Sequence, residues 1–341
     1  MPGDVALAIL EAIEEPALIV DADQVRAANL AARQLLGNQM VGRDLRLAIR
    51  HPQALTTILA GREADLEVIG IGDADRPWSV SVRPLAPGSV LVRLGDRSVV
   101  RSAERMRTDF VANASHELRT PLATIIGYAE TLTEDGPVDE ATRARFGATI
   151  EVEARRMLRI VEDLMSLSRI EADRFRPPEE QVDLGEVARI AIENAAPLLE
   201  RRKCVIEADI DQASLSVTGD FAQLLQLADN LIGNAIRYGC NDRSCAVEVK
   251  VEAEGTRVAL IVTDHGEGIA PDHLPRLTER FYRVDSARSR ETGGTGLGLA
   301  IVKHIVERHR GTLDIRSAPG QGTQVSVWLP AADFSAVVTK L

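Results

Sequence analysis

Apolar residues recur at every third or fourth position in two long stretches near the middle of the chain. In the first stretch they are Phe110, Ala114, Leu118, Leu122, Ile125, Ile126, Ala129 and Leu132. In the second stretch, from about Asp139 to Asp173, they are Phe146, Ile150, Met157, Ile160, Val161, Leu164 and Leu167. This spacing is typical of one face of an amphipathic helix. Because the turn sequence Glu134-Asp-Gly-Pro137 lies between the stretches, residues 107–174 predict a hairpin of two helices.

A single hairpin of this kind leaves much of its apolar surface in water. Two copies bury that surface when they pair into a four-helix bundle. The pattern therefore predicts a homodimer.

Shorter apolar segments precede the hairpin and predict a small α/β domain over residues 5–95. Ala17–Val20 has the pattern of a strand, and Asn29 begins an amphipathic helix that ends at Gly37. Further strands are expected at Leu66–Ile71, Trp78–Pro84 and Ser89–Leu94. Residues 96–106 are expected to form a helical linker. The domain has no cysteine, and its one histidine, His51, is interpreted as a solvated loop residue, so we expect no cofactor there.

The last part of the chain, residues 180–331, follows the proline-containing linker Arg174–Glu180 and alternates helical with extended patterns. Helices are expected at Leu184–Arg202, Phe221–Tyr238 and Leu297–Arg308. Strands are expected at Cys204–Ile210, Ala246–Glu254, Arg257–Thr263, Thr312–Arg316 and Thr323–Leu329. The order predicts an α/β sandwich with helices on one face of a mixed sheet, and a multidomain α+β protein as a whole.

Composition restricts the class of function. The 341 residues carry a net charge of −11, which argues against a nucleic-acid partner because phosphate binding needs a clustered basic surface. No apolar run approaches the roughly 20 residues that span a bilayer, so a membrane would be reached only through a segment absent from this chain. The expected location is the cytoplasm, either as a soluble protein or as the soluble part of a membrane-anchored one. Cys204, Cys240 and Cys245 lack metal-ligand spacing; Cys240 and Cys245 could pair, but free thiols are expected.

His116 is the first candidate for chemistry. It lies off the apolar stripe of the first hairpin helix, with Glu117 beside it and Pro121 five residues later. A neutral imidazole is a nucleophile and becomes a better one when its other nitrogen donates to a carboxylate. Pro121 is expected to bend and loosen the helix one turn after His116. An exposed histidine on a surface helix is the simpler alternative.

Two groups of polar residues in the last domain could bind a nucleotide. Asn230, Asn234, Arg237 and Tyr238 fall on one helical face, where an amide oxygen can hold Mg²⁺ and the alternative is a solvated helix face. Asp264 follows an apolar strand and can accept a hydrogen bond from the adenine amine. The glycines Gly266 and Gly268 then permit a tight turn.

Two further segments complete this pattern. Leu277–Arg283 precedes the polar segment Asp285–Thr292, which is interpreted as a mobile lid whose arginines Arg288 and Arg290 either reach a phosphate or are solvated. The run Gly293–Leu299 leads into a helix, so backbone N–H groups at its glycines can face phosphates. It matches neither the P-loop nor the dinucleotide-binding pattern.

Taken together, these motifs resemble those of two-component sensor histidine kinases. Ser115-His-Glu-Leu-Arg-Thr-Pro-Leu122 resembles their phosphoacceptor box, and the run from Arg105 looks most like that of phosphate-regulon sensor kinases. The four nucleotide signals resemble the N, G1, F and G2 boxes of the Bergerat-type ATP-binding fold. The first domain resembles, more weakly, a PAS domain.

The resemblance implies a function and a role for each residue. His116 would take the γ-phosphoryl group of ATP, Glu117 would be the general base, and Thr120 would position a water for the reverse reaction on the partner. Asn234 would hold Mg²⁺ and Asp264 would bind adenine. The phosphates would lie on the run of Gly294, Thr295, Gly296, Leu297 and Gly298, and the nucleotide would be flanked by Asn230, Arg237 and Tyr238.

At the Arg237 position the family usually has lysine or histidine, which puts a direct phosphate contact in doubt. The implied partners are a second copy of the chain and the receiver domain of a response regulator. The alternatives are a Bergerat-fold ATPase that works as a conformational machine, or a dimeric sensor scaffold.

Overall fold

The structure, a computed structural model, describes residues 2–72, 75–133, 139–173, 176–211, 215–240, 246–284 and 294–332. The chain divides into two compact units, Met1–Val111 and Ala112–Leu341. None of the helices in the described part is long and apolar enough to span a membrane.

The first unit is built on a five-stranded antiparallel sheet. Its strands are β1 (Ala17–Asp21), β2 (Gln24–Ala28), β3 (Ala64–Ile69), β4 (Pro77–Ala86) and β5 (Ser89–Asp96), in the spatial order β2-β1-β5-β4-β3. Its helices are α1 (Pro2–Glu11), α2 (Leu30–Leu36), α3 (Leu45–Ala48) and α4 (Pro52–Leu59). Alternate residues of β4 and β5 are buried. One face of the sheet therefore packs on the helices, as the strand pattern of this segment predicts.

Asn29 explains why a helix begins where the sequence predicts. Its side-chain oxygen accepts from the backbone N–H groups of Ala32 at 2.9 Å and Ala17 at 3.0 Å, while its amide donates to two carbonyls before β1. Gly37 ends α2 with a φ of 101°. His51 differs from the prediction: it is half-buried and caps α4, where its Nδ1 accepts from the N–H of Ala54 at 3.4 Å.

The predicted hairpin consists of α5 (Ser98–Thr133) and α6 (Glu140–Ala172). Asp139 caps α6, since its carboxylate accepts from the N–H of Thr142 at 2.9 Å. The rings of Tyr128 and Phe146 contact each other across the hairpin, with centroids 4.7 Å apart. Pro121 lies inside α5, which runs on for twelve residues beyond it to Thr133. The predicted turn at 134–137 lies outside the described residues.

The last part of the chain forms a mixed sheet with helices. The strands are β6 (Glu180–Asp183), β7 (Val205–Ile210), β8 (Ser216–Gly219), β9 (Ala246–Glu254), β10 (Arg257–Asp264), β11 (Thr312–Ala318) and β12 (Gly322–Pro330). The main sheet has the order β11-β12-β10-β9-β7, with only the β7–β9 pair parallel, and β6 pairs with β8 separately. The helices are α7 (Leu184–Asn194), α8 (Ala196–Arg202), α9 (Phe221–Asn234) and α10 (Gly298–Arg308).

Two predicted helices differ in detail from the observed ones. The helix expected over Leu184–Arg202 is divided at Ala195, because Pro197 in the first turn of α8 cannot donate a backbone hydrogen bond. The helix expected over Phe221–Tyr238 is an α-helix only as far as Asn234 and continues as a π-helical turn over Ala235–Gly239. Neither strand of the small β6–β8 pair was predicted.

His309 joins the end of α10 to the start of α9. The ring is 4% exposed, with Nδ1 2.8 Å from the carbonyl of Ile305. Nε2 accepts from the N–H of Asp220 at 3.0 Å. This arrangement needs a neutral ring, and burial lowers the pKa of His309.

The neutral ring leads to a pH prediction. A histidine with a lowered folded-state pKa stabilises the fold above its unfolded pKa of about 6.5, and this contribution is lost as the pH falls below that value. We expect the thermal midpoint of wild type to fall between about pH 7 and pH 5.5, and that of His309→Gln, already lower at pH 7, to fall less. Thermal unfolding followed by circular dichroism measures both. The control is His265→Gln, at an exposed histidine, and an unchanged pH dependence in His309→Gln would contradict the assignment.

Candidate active site

A cavity of about 640 Å³ lies in the second unit, where α9, the end of β10 and the start of α10 meet. This volume is in the range of small-molecule sites. It is lined by most of the predicted nucleotide-binding residues, namely Asn230, Asn234, Arg237, Tyr238, Asp264, Gly268, Gly294, Thr295, Gly296 and Gly298. The structure therefore brings together residues from three separate motifs. Two predicted nucleotide-binding residues do not line the cavity. Gly266 donates its N–H to Asp264, and the side chain of Leu297 is fully buried.

The π-helical turn changes the wall formed by the first motif. An α-helix would place Asn234, Arg237 and Tyr238 on one narrow face. A π-helical turn has more residues per turn and so a wider circumference, and such turns are frequent at functional sites. Burial, followed by the nearby charge of Arg159, lowers the pKa of Arg237. Asp163, which also lines the cavity, opposes this effect and favours the charged guanidinium group.

Asp264 lies at the end of β10 and is 8% exposed. Its Oδ1 accepts from the N–H of Gly266 at 2.9 Å, and burial raises the pKa of its carboxyl group. A buried carboxyl group can bind the polar edge of a ligand specifically. A ligand without a matching donor would leave an oxygen of the carboxyl group buried and without a hydrogen bond.

Two glycines in the wall have no room for a side chain. Gly268 has a φ of +68°, and a Cβ on it would collide with the carbonyl of Ala318. Gly296 has a φ of +73°, and a Cβ there would lie 2.9 Å from the Cα of Phe281. Both loops therefore need glycine for their backbone conformation and for the close approach of the neighbouring chain.

His116 is exposed on α5, and Thr120 donates its hydroxyl to the His116 carbonyl at 3.3 Å. The neighbouring Glu117 has a different environment from the one expected. Its Oε2 lies 3.0 Å from Nη2 of Arg156 and 3.4 Å from Nη2 of Arg283, and both arginine side chains are 7% exposed. The carboxylate predicted as a general base is thus held by two buried guanidinium groups.

Arg283 connects the phosphoacceptor helix with the cavity. It lines the cavity and also donates to the carbonyl of Gly294 in the glycine run. The sequence reasoning missed this role, and that of Arg156. The available signal was the position of Arg156 one turn before Ile160, on the face of α6 that is otherwise apolar.

Helix α6 also contributes to the cavity, which the sequence reasoning did not anticipate. Arg159, Glu162 and Asp163 line it. Oδ2 of Asp163 accepts a hydrogen bond from the hydroxyl of Thr295 at 2.7 Å. The hairpin and the nucleotide motifs therefore form one continuous site.

The cysteine prediction is wrong for two of the three residues. The structure joins Cys204 and Cys240 in a disulfide, with Cα atoms 6.1 Å apart. Cys240 follows the π turn and lines the cavity, whereas Cys204 directly precedes β7. The two cysteines are 36 positions apart, so their contact depends on tertiary packing and no local pattern predicts it. Cys245 lies outside the described residues.

The cavity wall includes Asn234, the residue predicted to hold Mg²⁺. In the part of the chain that the structure describes, no group of three His, Cys, Asp or Glu side chains could hold a metal ion. Mg²⁺ bound with a nucleotide takes most of its ligands from phosphate and water and needs few from the protein. Asn234, which carries an amide oxygen in the cavity wall, fits that requirement. The predicted lid over Asp285–Thr292, with Arg288 and Arg290, lies outside the described residues.

Two known families match parts of the chain. Residues 106–173 match the His Kinase A phospho-acceptor domain. Residues 219–333 match the histidine kinase-, DNA gyrase B- and HSP90-like ATPase family.

Characterised relatives match over most of the chain. The phosphate regulon sensor protein PhoR of Pseudomonas aeruginosa is 35% identical over 317 residues, which cover 92% of this chain and 71% of the relative. The sensor-like histidine kinase SenX3 of Mycobacterium tuberculosis is 35% identical over 321 residues, covering 94% of this chain and 74% of the relative.

Solved structures show the same fold. The histidine kinase AdeS of Acinetobacter baumannii superposes with a TM-score of 0.50 at 26% identity, over 64% of this chain and 98% of that one. The histidine kinase ThkA, solved in complex with the response regulator protein TrrA, superposes with a TM-score of 0.51 at 17% identity, over 95% of this chain and 98% of that one.

Proposed function

Because the chain belongs to the sensor histidine kinases of two-component systems, and is an ATP-dependent kinase that phosphorylates its own histidine, we propose that ATP bound in the C-terminal cavity phosphorylates His116. The observation that carries this proposal is the bridge made by Arg283. One guanidinium group contacts both Glu117, next to His116, and the glycine run at the cavity. A movement of the ATP-binding part relative to the hairpin would then bring the γ-phosphorus in line with the imidazole.

The residue roles follow from their positions. Asp264 binds the adenine amine, and the backbone N–H groups from Gly294 to Gly298 hold the phosphates together with Arg237. Asn234 holds Mg²⁺, which supplies positive charge against the phosphate oxygens. Glu117, released from Arg156 and Arg283, accepts a proton from the imidazole of His116, whose other nitrogen attacks. Thr120 positions a water that removes the phosphoryl group from the phosphorylated partner protein as inorganic phosphate.

The direct test uses ATP labelled in the γ-phosphate, with Mg²⁺. We expect a label on the protein that is labile in acid and stable in base, as for a phosphohistidine. ATP hydrolysis without any label on the protein would instead indicate the conformational ATPase. The absence of both label and hydrolysis would indicate the scaffold.

We further propose that the phosphoryl group passes from His116 to an aspartate on the receiver domain of a response regulator. His116 is exposed on α5 and accessible to a docked protein. ThkA, which has a similar fold, was solved in complex with a response regulator protein, and this supports a partner of that kind.

A homodimer is supported by exposed apolar side chains on the hairpin. Leu158, Val161 and Met165 form a stripe on α6 and are 58%, 40% and 52% exposed. On α5, Leu122 and Ile126 are exposed as well. Pairing of two hairpins would bury these stripes in a four-helix bundle.

Introducing charge into this stripe is expected to break the dimer. We expect the double variant Val161→Glu/Met165→Glu to behave as a monomer in size-exclusion chromatography with light scattering, and wild type as a dimer. Val205→Glu is the matched control, because Val205 is 56% exposed on β7, away from the hairpin, and should leave the dimer intact. A dimeric double variant would show that this stripe is not the interface.

We assign the first unit a sensory or relay role as a PAS-like domain and place the protein in the cytoplasm, where ATP is available. The support is its small antiparallel sheet with four helices, whose last strand ends at Asp96, just before α5 begins at Ser98. A signal in this unit would therefore enter the helix that carries His116 directly through the chain.

A further inference from the structure

A carboxylate from the hairpin occupies the glycine run of the cavity. Asp163 accepts the hydroxyl hydrogen of Thr295 at 2.7 Å, and the same hydroxyl oxygen accepts from the N–H of Leu297 at 3.3 Å. Thr295 lies between Gly294 and Gly296 in the loop before α10. A donor that a nucleotide phosphate would use is therefore already bonded to an acidic side chain.

Asp163 lies among other charged residues of the cavity wall. The residue lines the cavity together with Glu162, and the cations Arg159 and Arg237 lie nearby. Burial, as the largest influence, raises the pKa of Asp163, whereas the hydrogen bond from Thr295 and the charge of Arg237 lower it and favour the carboxylate form. A phosphate chain bound at Thr295 would lie next to the carboxylate of Asp163, and the two negative charges would repel each other.

We propose that Asp163 sets the preference of this site among nucleotides: its carboxylate competes with phosphate for Thr295 and weakens the binding of ATP relative to uncharged adenosine. When ATP binds, the Asp163–Thr295 bond breaks and one link between α6 and the glycine run is lost. The triphosphate thus releases the ATP-binding part from the helix on which it rests. This inference depends on the proposed function, because it assumes that the cavity binds ATP.

Other contacts also join α6 to the same part of the chain, and they allow the effect of the Asp163 charge to be distinguished from the effect of docking. Ser166 donates to Oε1 of Gln226 at 2.6 Å, and Glu171 pairs with Arg280. Neither Ser166 nor Glu171 is among the described residues that line the cavity. If docking alone controlled nucleotide affinity, loss of the Ser166 contact would raise it as well.

The experiment compares ATP and adenosine as competitors of a fluorescent ATP analogue in the full chain with Mg²⁺. Asp163→Asn keeps an oxygen that can accept from Thr295 but removes the charge, and Asp163→Ser removes the charge and shortens the side chain. Ser166→Ala is the matched control. We expect Asp163→Asn and Asp163→Ser to bind ATP about tenfold more tightly while adenosine affinity stays unchanged. Ser166→Ala should keep the wild-type ratio of the two affinities.

The outcomes are distinct. Thermal unfolding shows which Asp163 variants fold. If either folded variant keeps the wild-type ratio of ATP affinity to adenosine affinity, the inference is overturned. The proposed function stays intact in that case as long as the wild-type chain binds ATP. An equal rise in Ser166→Ala overturns it too, since docking would then be the cause. A wild-type chain that binds no ATP overturns the proposed function and this inference together.

Discussion

His116→Gln is expected to abolish the acid-labile label from γ-labelled ATP, a loss of at least about a thousandfold and so below detection. Glutamine has an amide in place of the imidazole and offers no nucleophilic nitrogen at neutral pH. His116 is exposed, so its replacement should leave the thermal midpoint unchanged. The measurement is the label retained on the protein after denaturation in base, with acid treatment in parallel.

The matched control for this variant is His265→Gln. His265 is also partly exposed and pairs with Glu248 at 2.8 Å, yet it lies beside the cavity residue Asp264. We expect His265→Gln to keep most of the label, and His116→Gln to keep its affinity for ATP. If His116→Gln still carries the label, another residue is the phosphoacceptor. The roles proposed for Glu117 and Thr120 would then have no basis.

Asp264→Asn is expected to weaken ATP binding about a hundredfold, or roughly 3 kcal/mol. The amide retains an oxygen for the N–H of Gly266, which Asp264 accepts at 2.9 Å, so the loop should keep its shape. The loss arises because the amide is uncharged and one of its two sides donates, which places a donor against the adenine amine. Isothermal titration with ATP measures the change.

The control for Asp264→Asn is Asp272→Asn in the 3₁₀ helix Pro271–Arg276, where the carboxylate is exposed. It makes the same chemical change outside the cavity and should leave ATP affinity within about twofold of wild type. Unchanged ATP affinity in Asp264→Asn would show that adenine lies elsewhere.

The pairing of Glu117 also bears on how the kinase is regulated. If Glu117 is the general base, as proposed, it must lose at least its contact with Arg283 before it can accept the proton of His116. Arg283 belongs to the segment just before the predicted lid. We therefore expect nucleotide binding to rearrange that segment and to break the contact between Arg283 and Glu117.

Much of the fold follows from local patterns. The hairpin helices were predicted from their apolar period, and α6 begins directly after the expected Asp139. The mixed sheet and all five of its strands were predicted in the same way. Elements were misjudged where a local backbone effect decided the outcome, as in the division at Ala195 and the π turn that begins at Ala235.

The sequence by itself determined the family, the hairpin and the groups of polar residues, because these depend on residue type and on spacing within one element. Tertiary structure alone decided the contacts that join these parts. Asp163 and Thr295 are 132 positions apart, Arg156 and Glu117 are 39 apart, and Cys204 and Cys240 are 36 apart. Periodicity shows which face of a helix is apolar, but the partner of a buried charge depends on how separate elements pack, and no local pattern records that.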